Sequence, residues 1–321
     1  MDLIIYGFAV LKNVIYGSSI FFTSRLTDNV DVLDVLALRF FMSFAVLLLL
    51  KVTHIVKMNI SLKDFSKKSA RRSVMLSLVL TGLFEPVLYM TFETLGISMT
   101  TNITASVILS LLPIFSVIFE FIFLKERIDW KKGLFLVIGM IGAILIAACA
   151  KPNENGKDTA LGILFVLLAV ISGALFITFS RKSSEHFGAM EITYFSALMG
   201  AVFFNGVNIV RHIANGTLTR YFAPFMNWDN LVGFVFLAII STVVATGMNN
   251  FALARMQVST MSAFSGLSTL VSIVIGVLFN AEPLYWYHHV GISLILIRVI
   301  GIILLTAGNN KKLGAQNATV L

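Results

Sequence analysis

Charged side chains lie inside long apolar segments of this 321-residue chain. Lys12, Glu85 and Arg298 fall about 14, 18 and 15 Å along their segments, at 1.5 Å per helical residue. A charge at the bilayer centre costs at least about 2.5–3.5 kcal/mol, so it seeks a partner, a ligand or water. We predict that Lys12 pairs with Glu85 near the midplane, with Arg298 nearby, and that the three line a substrate cavity. The alternative is that they only hold helices together.

A second pair of opposite charges lies at a shallower depth. Arg39 and Glu93 are predicted to form an ion pair that is structural. Tyr89 follows Glu85 by one helical turn and shares its face. In the predicted site a substrate carboxylate meets Arg298 or Lys12, and its amino group meets Glu85. Tyr89 or Phe92 then packs on the apolar part of the substrate.

Prolines and small polar residues interrupt the same segments. Pro86 and Pro113 each remove a backbone donor and free a carbonyl, which persists in a membrane only against protein or a wet cavity. Asn249 ends one segment with an amide that could bind substrate or cap the helix. Three hydroxyl residues form a stripe at helical spacing in the next segment and line the cavity, pack helices closely, or do both: Ser262, Ser265 and Thr269.

The apolar segments themselves predict the fold class. Hydrophobic residues make up 58% of the chain and charged residues only 12%, too few polar side chains to cover a water-soluble surface. We predict an all-α integral membrane protein with ten transmembrane helices. The spans are expected near 3–24, 32–50, 73–95, 101–123, 132–150, 159–180, 188–210, 230–252, 258–279 and 288–308.

Basic residues predict the direction of the spans. Of the 24 lysines and arginines, sixteen fall in loops on the side of the N-terminus, five in loops on the other side and three within spans. By the positive-inside rule both termini are cytoplasmic, in a multi-pass plasma-membrane protein. The basic run at 63–72 is then an anchor near anionic lipid and not a nucleic-acid site.

The two halves of the chain resemble each other at an offset of about 156–158 residues. IYGSSIFFTSR (15–25) matches ISGALFITFSR (171–181), and LKERIDWKKG (124–133) matches NAEPLYWYHHVG (280–291). The second match pairs Glu126 with Glu282 and Trp130 with Trp286. Five spans are an odd number, so the second repeat enters the membrane from the opposite side, as in many secondary transporters. The predicted domains are 1–150, a polar linker 151–158, 159–308 and a cytoplasmic tail 309–321.

These motifs resemble a known family. YGSSIFF, LALRFFMSF (36–44), FETLGISMTTNITASVILSLLPIF (92–115) and FALARMQVSTMSAFSGL (251–267) are similar to the EamA type of the drug/metabolite transporter superfamily. The resemblance covers about 3–307. It implies two inverted five-helix repeats, cytoplasmic termini and export of amino acids or other small metabolites, with Glu126, Trp130, Glu282 and Trp286 as motif residues. LFEPVLYM (83–90) and the Lys12–Asn13 pair depart from the family pattern.

We therefore expect a secondary transporter that works by alternating access. Its partners are a small-molecule substrate and membrane lipid, with a possible homodimer and no nucleic acid. No catalytic residue, metal or cofactor is expected, although Glu85 is a candidate carrier of a coupling proton. The alternatives are a multidrug or nucleotide-sugar carrier of the same fold, and more remotely an intramembrane enzyme or a receptor. An enzyme lacks an evident nucleophile and base, since Cys149 is the single cysteine and H-E-x-x-H is absent.

Overall fold

A computed structural model describes residues 2–54, 68–124, 130–149, 158–255, 261, 264–280 and 284–318 of the chain. Every regular element in these ranges is helical. Most of the predicted linker 151–158 lies outside the described residues, as do the motif residues Glu126 and Glu282.

The first half folds into five helical segments. Their bounds are α1 Asp2–Thr27, α2 Val32–Val52, α3 Lys68–Ser98, α4 Asn102–Leu124 and α5 Trp130–Cys149. In α3 a π-helical turn, Leu83–Leu88, joins Lys68–Gly82 to Tyr89–Ser98. In α4 the helix breaks between Asn102–Leu109 and Leu112–Phe119, and ends in a π turn, Glu120–Leu124. The two interruptions coincide with Pro86 and Pro113, as the sequence predicts.

Within the described residues the second half also forms five helical segments. They are α6 Ala160–Ser183, α7 Ala189–Ala214, α8 Trp228–Leu253, α9 Ser265–Phe279 and α10 Trp286–Ala318. α8 contains a π-helical stretch, Phe236–Ala245. Two 3-10 turns, Leu218–Arg220 and Ala223–Met226, lie in the connection from α7 to α8.

Seven of these helices are long and apolar enough to cross a membrane: α1, α2, α3, α4, α6, α7 and α8. Their bounds agree with the predicted spans to within a few residues. Within the described residues α5 and α9 contribute shorter apolar helices, Gly133–Ile146 and Ser265–Phe279. The chain is therefore a multi-pass membrane protein. The total of ten spans and the inverted relation of the halves stay predictions.

α1 packs among the helices that surround the cavity described below. α1 packs against α8 and α9 and also contacts α3 and α4, while α5 packs against α10 at the edge of the bundle. A glycine makes the α1–α9 contact close: a Cβ on Gly17 would lie 2.8 Å from the Cβ of Val271 and closer still to the Ser268 carbonyl. Such contacts let helix backbones approach in the membrane.

A polar cluster joins the start of α2 to the end of α7. Asp34 accepts hydrogen bonds from His212 Nε2 (2.8 Å), Arg211 Nη2 (2.9 Å) and Asn208 Nδ2 (2.8 Å). Beside it, Tyr221 in the α7–α8 connection donates to Asn205 Oδ1 at 2.6 Å, and burial raises the pKa of its hydroxyl. The cluster ties this connection to α2 and α7 at one end of the bundle.

Candidate substrate cavity

A partly open cavity lies among α1, α2, α3, α4, α6, α8 and α9, with about 850 Å³ of empty space that includes open solvent. Most of its polar lining comes from α1, α3 and α9. The polar residues at its wall are Lys12, Asn13, Tyr16, Ser19, Arg39, Glu85, Tyr89, Glu93, Ser106, Ser241, Asn249, Ser265, Ser268 and Thr269.

The interruption of α3 exposes Glu85 to this cavity. Glu85 has an extended backbone (φ −141°, ψ 119°) inside an otherwise helical segment. The residue before a proline avoids the helical region because it clashes with the proline ring, so Pro86 accounts for this conformation. The carboxylate lines the cavity and makes no hydrogen bond or ion pair within the described residues.

The two cations of the cavity, Lys12 and Arg39, have uncharged hydrogen-bond partners. Lys12 Nζ donates to Asn249 Oδ1 at 2.7 Å. Arg39 Nε donates to Thr242 Oγ1 at 2.9 Å, and its Nη2 lies 3.5 Å from Ser241 Oγ. Both cations are thus held by α8.

The carboxylates of the cavity are both on α3. Glu93 Oε1 accepts a 2.6 Å hydrogen bond from the Tyr89 hydroxyl, one turn earlier on the same helix. Tyr89 itself has room because Gly173 of α6 carries no side chain, and a Cβ there would lie 2.9 Å from its ring. The cavity therefore has cations held on one wall and carboxylates on another.

The two predicted pairs make no direct ion pair in this arrangement. Arg39 and Glu93 both line the cavity, but among the described residues their hydrogen bonds go to Thr242 and Tyr89, and the structural role of the pair stays a prediction. Lys12 and Glu85 line the same cavity, as predicted, yet Lys12 bonds to Asn249 instead of Glu85. In each case a neutral hydrogen-bond partner from a neighbouring helix lies nearer than the opposite charge.

Two predicted site residues lie elsewhere. Arg298 is outside the cavity wall; it is 1% exposed and donates from Nη1 to the carbonyl of Ser110 in the break of α4. Phe92 is also outside the wall and stacks on Phe165 of α6, with ring centroids 6.2 Å apart. The direction in which each side chain points depends on the rotation of its helix, which depth along the helix does not give.

The α9 stripe both packs and lines the cavity. Ser265 and Thr269 are at the wall, and Thr269 Oγ1 also donates to the Ser106 carbonyl of α4 at 3.3 Å. Ser262 lies outside the described residues. Of the motif residues, Trp130 and Trp286 begin α5 and α10 and are largely exposed. Pro113 borders a smaller cavity of about 300 Å³ that shares Lys12, Asn249 and Ser265 with the larger one.

Several cavity residues, mainly on α1, are not among the residues predicted from the sequence. Tyr16 and Ser19 join Lys12 at the wall, and Tyr16 lies 3.2 Å, hydroxyl to hydroxyl, from Thr246 of α8. Lys12, Tyr16 and Ser19 are spaced by four and three residues, which puts them on one helical face. That spacing was a sufficient signal. No group of three or more His, Cys, Asp or Glu gathers as a metal site within the described residues.

Comparison with known proteins decides the family. The sequence model of the EamA-like transporter family matches the chain twice, over residues 3–148 and 160–306. The chain belongs to the EamA-like transporter family. It is 31% identical to an uncharacterized transporter of Bacillus subtilis, YcxC, over 92% of this chain and 91% of that protein.

Other relatives carry further names. The chain is 24% identical to another uncharacterized Bacillus subtilis transporter, YetK, over 88% of the chain and 81% of the relative. It is 26% identical to an S-adenosylmethionine uptake transporter of Rickettsia bellii, over 54% of the chain and 59% of the relative. A solved crystal structure covers 92% of the chain and is itself covered to 96%, with a TM-score of 0.63 and 16% identity, which shows a shared fold.

Proposed function

We propose that this EamA-type protein is a secondary active transporter that exports small metabolites such as amino acids by alternating access. The observation that carries the proposal is the carboxylate of Glu85, which faces a charged cavity without a partner among the described residues. An unpaired charge in a membrane protein is costly, so a ligand or proton at this position stabilises the protein. A cationic group of a substrate is the expected partner.

The distribution of charge across the cavity supports a substrate that bears both signs. Lys12 and Arg39 are held by uncharged side chains of α8, so among the described residues neither cation forms a direct ion pair with the carboxylates on α3. A substrate with an amino group and a carboxylate can meet Glu85 at one end and Lys12 at the other. Tyr89 and the apolar wall residues then contact its uncharged part.

The two matches to one family model support the repeat architecture. Each match covers a set of five helices, α1–α5 and α6–α10. In the arrangement we propose, ten spans form two inverted repeats with both termini cytoplasmic and the cavity at the interface between them. Similar halves of opposite orientation can exchange conformations, which provides inward-open and outward-open states of similar energy. A homodimer stays a prediction.

Uptake of S-adenosylmethionine is the second candidate, because the Rickettsia bellii relative carries that name. That compound combines a sulfonium cation with an amino-acid group, so it too carries a positive charge that a carboxylate can bind. It would use the same Glu85 carboxylate. The direction of transport is opposite, so one experiment separates the two candidates.

A metabolite screen of intact cells tests the proposal. Cells that overexpress the protein are expected to release one or more amino acids or related metabolites faster than cells with Glu85→Gln. Glu185→Gln is the matched control, because Glu185 is an exposed carboxylate in the α6–α7 connection. Labelled S-adenosylmethionine added outside tests the second candidate.

Purified protein in liposomes then separates transport from indirect effects. Counterflow of the metabolite identified in cells should be saturable in the native protein and lost with Glu85→Gln. Equal counterflow by Glu85→Gln and Glu185→Gln would remove Glu85 from the mechanism. If Glu85→Gln keeps counterflow but loses the dependence on a pH gradient, Glu85 carries the coupling proton instead of the substrate.

A further inference from the structure

Arg298 is a buried cation that the cavity does not use. It lies in α10 with 1% of its surface exposed, and its stem crosses the backbone of α5 at Gly139, where a Cβ would lie 3.2 Å from Arg298 Cβ. Because Gly139 has no side chain, there is space for the arginine side chain between α5 and α10. The guanidinium ends at the break of α4.

The break of α4 supplies one acceptor for this guanidinium. Pro113 has no N–H, and the N–H of Ile114 donates to the carbonyl of Leu111 at 2.9 Å. The carbonyl of Ser110 accepts from Arg298 Nη1. Within the described residues, Arg298 Nη2 and the Ser110 hydroxyl oxygen are both buried without a hydrogen-bond partner. Two unsatisfied polar groups therefore belong to residues that are already joined by the bond from Arg298 Nη1 to the Ser110 carbonyl.

Within the part of the chain that the structure describes, Arg298 forms no ion pair. α4, α5 and α9 pack against α10, and the only acidic residue in these four helices is Glu120. Glu120 follows Ser110 by ten residues, about 15 Å along a helix. A guanidinium stays protonated at any physiological pH. Burial of an unpaired charge costs several kcal/mol, so a bound anion would offset a large penalty.

We propose that Arg298 Nη2 and the Ser110 hydroxyl bind a small inorganic anion, such as chloride, at the break of α4. Both groups can donate a hydrogen bond to an anion. Ile108, Leu111, Ile146 and Ile295, on the three helices that meet there, are buried apolar residues of one core cluster, so the proposed ligand is a small ion. The site is separate from the substrate cavity, although Leu109 and Leu112 on either side of Ser110 line that cavity. It does not depend on the proposed transport function.

Thermal unfolding of the purified protein in detergent tests the site. Sodium chloride is compared with sodium gluconate at equal ionic strength, because gluconate is too large for the site. Chloride is expected to raise the Tm by about 2–4 °C with a saturable dependence on concentration. Arg298→Gln should lose this increase. Ser110→Ala, which keeps the arginine and the accepting carbonyl, should show less than half of it.

Ser116→Ala is the matched control. Ser116 is a fully buried serine of the same helix whose hydroxyl donates to the Leu112 carbonyl at 2.8 Å, so its variant should keep the full chloride effect. If Arg298→Gln does not fold, the contrast between Ser110→Ala and Ser116→Ala decides the outcome. An equal chloride effect in these two variants, or none in the native protein, overturns the proposal.

Discussion

At the scale of single residues, Lys12 depends on a neutral partner. The residue is 6% exposed, and its Nζ donates to Asn249 Oδ1 at 2.7 Å. Removal of one partner from a buried hydrogen bond leaves the other unsatisfied, which costs more than the bond itself contributes. The pair also joins α1 to α8 at the cavity wall.

Asn249→Ala should therefore destabilise the protein through Lys12. We expect a coupling between the two residues on the order of 1–2 kcal/mol. A double-mutant cycle with Lys12→Met, followed by thermal unfolding in detergent, measures it. In the Lys12→Met background the added cost of Asn249→Ala should largely disappear. Asn29→Ala, at an exposed asparagine, is the control. Additive effects of Lys12→Met and Asn249→Ala would contradict the dependence.

At the scale of helices, interruptions and close contacts place the functional groups. The non-helical backbone at Glu85 in α3 and the break of α4 before Pro113 each lie at the cavity wall. α1 and α9 approach each other closely near that wall, because Gly17 has no side chain to meet Ser268 and Val271. The position of Ser265, Ser268 and Thr269 relative to Lys12 follows from this contact.

Gly17→Ala should separate α1 from α9, although alanine is the better helix former. We expect a loss of about 1–3 kcal/mol in stability, measured as a lower Tm in detergent, because the methyl group meets the Ser268 carbonyl and Val271. Gly7→Ala is the matched control in the same helix. A Cβ at Gly7 has nothing within 4 Å, so that variant should be neutral or more stable. Equal behaviour of the two variants would contradict the role of Gly17.

At the scale of the whole molecule, the proposed orientation places the α6–α7 connection in the cytoplasm and the α7–α8 connection outside. Cysteine labelling of intact cells with a membrane-impermeant maleimide tests this in a Cys149→Ala background, since Cys149 is the single cysteine. Thr219→Cys, at an exposed site, should be labelled in intact cells. Glu185→Cys should be labelled only after the cells are permeabilised. The reverse pattern would place both termini outside.

How much of the site the sequence predicted can be judged from particular residues. Lys12, Glu85, Tyr89, Asn249, Ser265 and Thr269 were predicted to share one cavity and do so. Arg298 and Phe92 were predicted there and lie outside it, and the hydrogen bonds of Arg39 and Glu93 go to Thr242 and Tyr89. Composition and periodicity report how deep a residue lies and which helix carries it. They do not report the rotation of that helix about its axis.

The sequence by itself determined that the chain spans a membrane repeatedly, because runs of about 20 apolar residues have no stable place in water. It also determined the family, and it predicts which charges lie near the midplane. Only the tertiary structure decided which partners those charges have. Hydrogen bonds reach about 3 Å, so the choice between Glu85 and Asn249 for Lys12, or between the cavity and Ser110 for Arg298, depends on helix rotation and backbone breaks. Those are set by packing across the whole bundle.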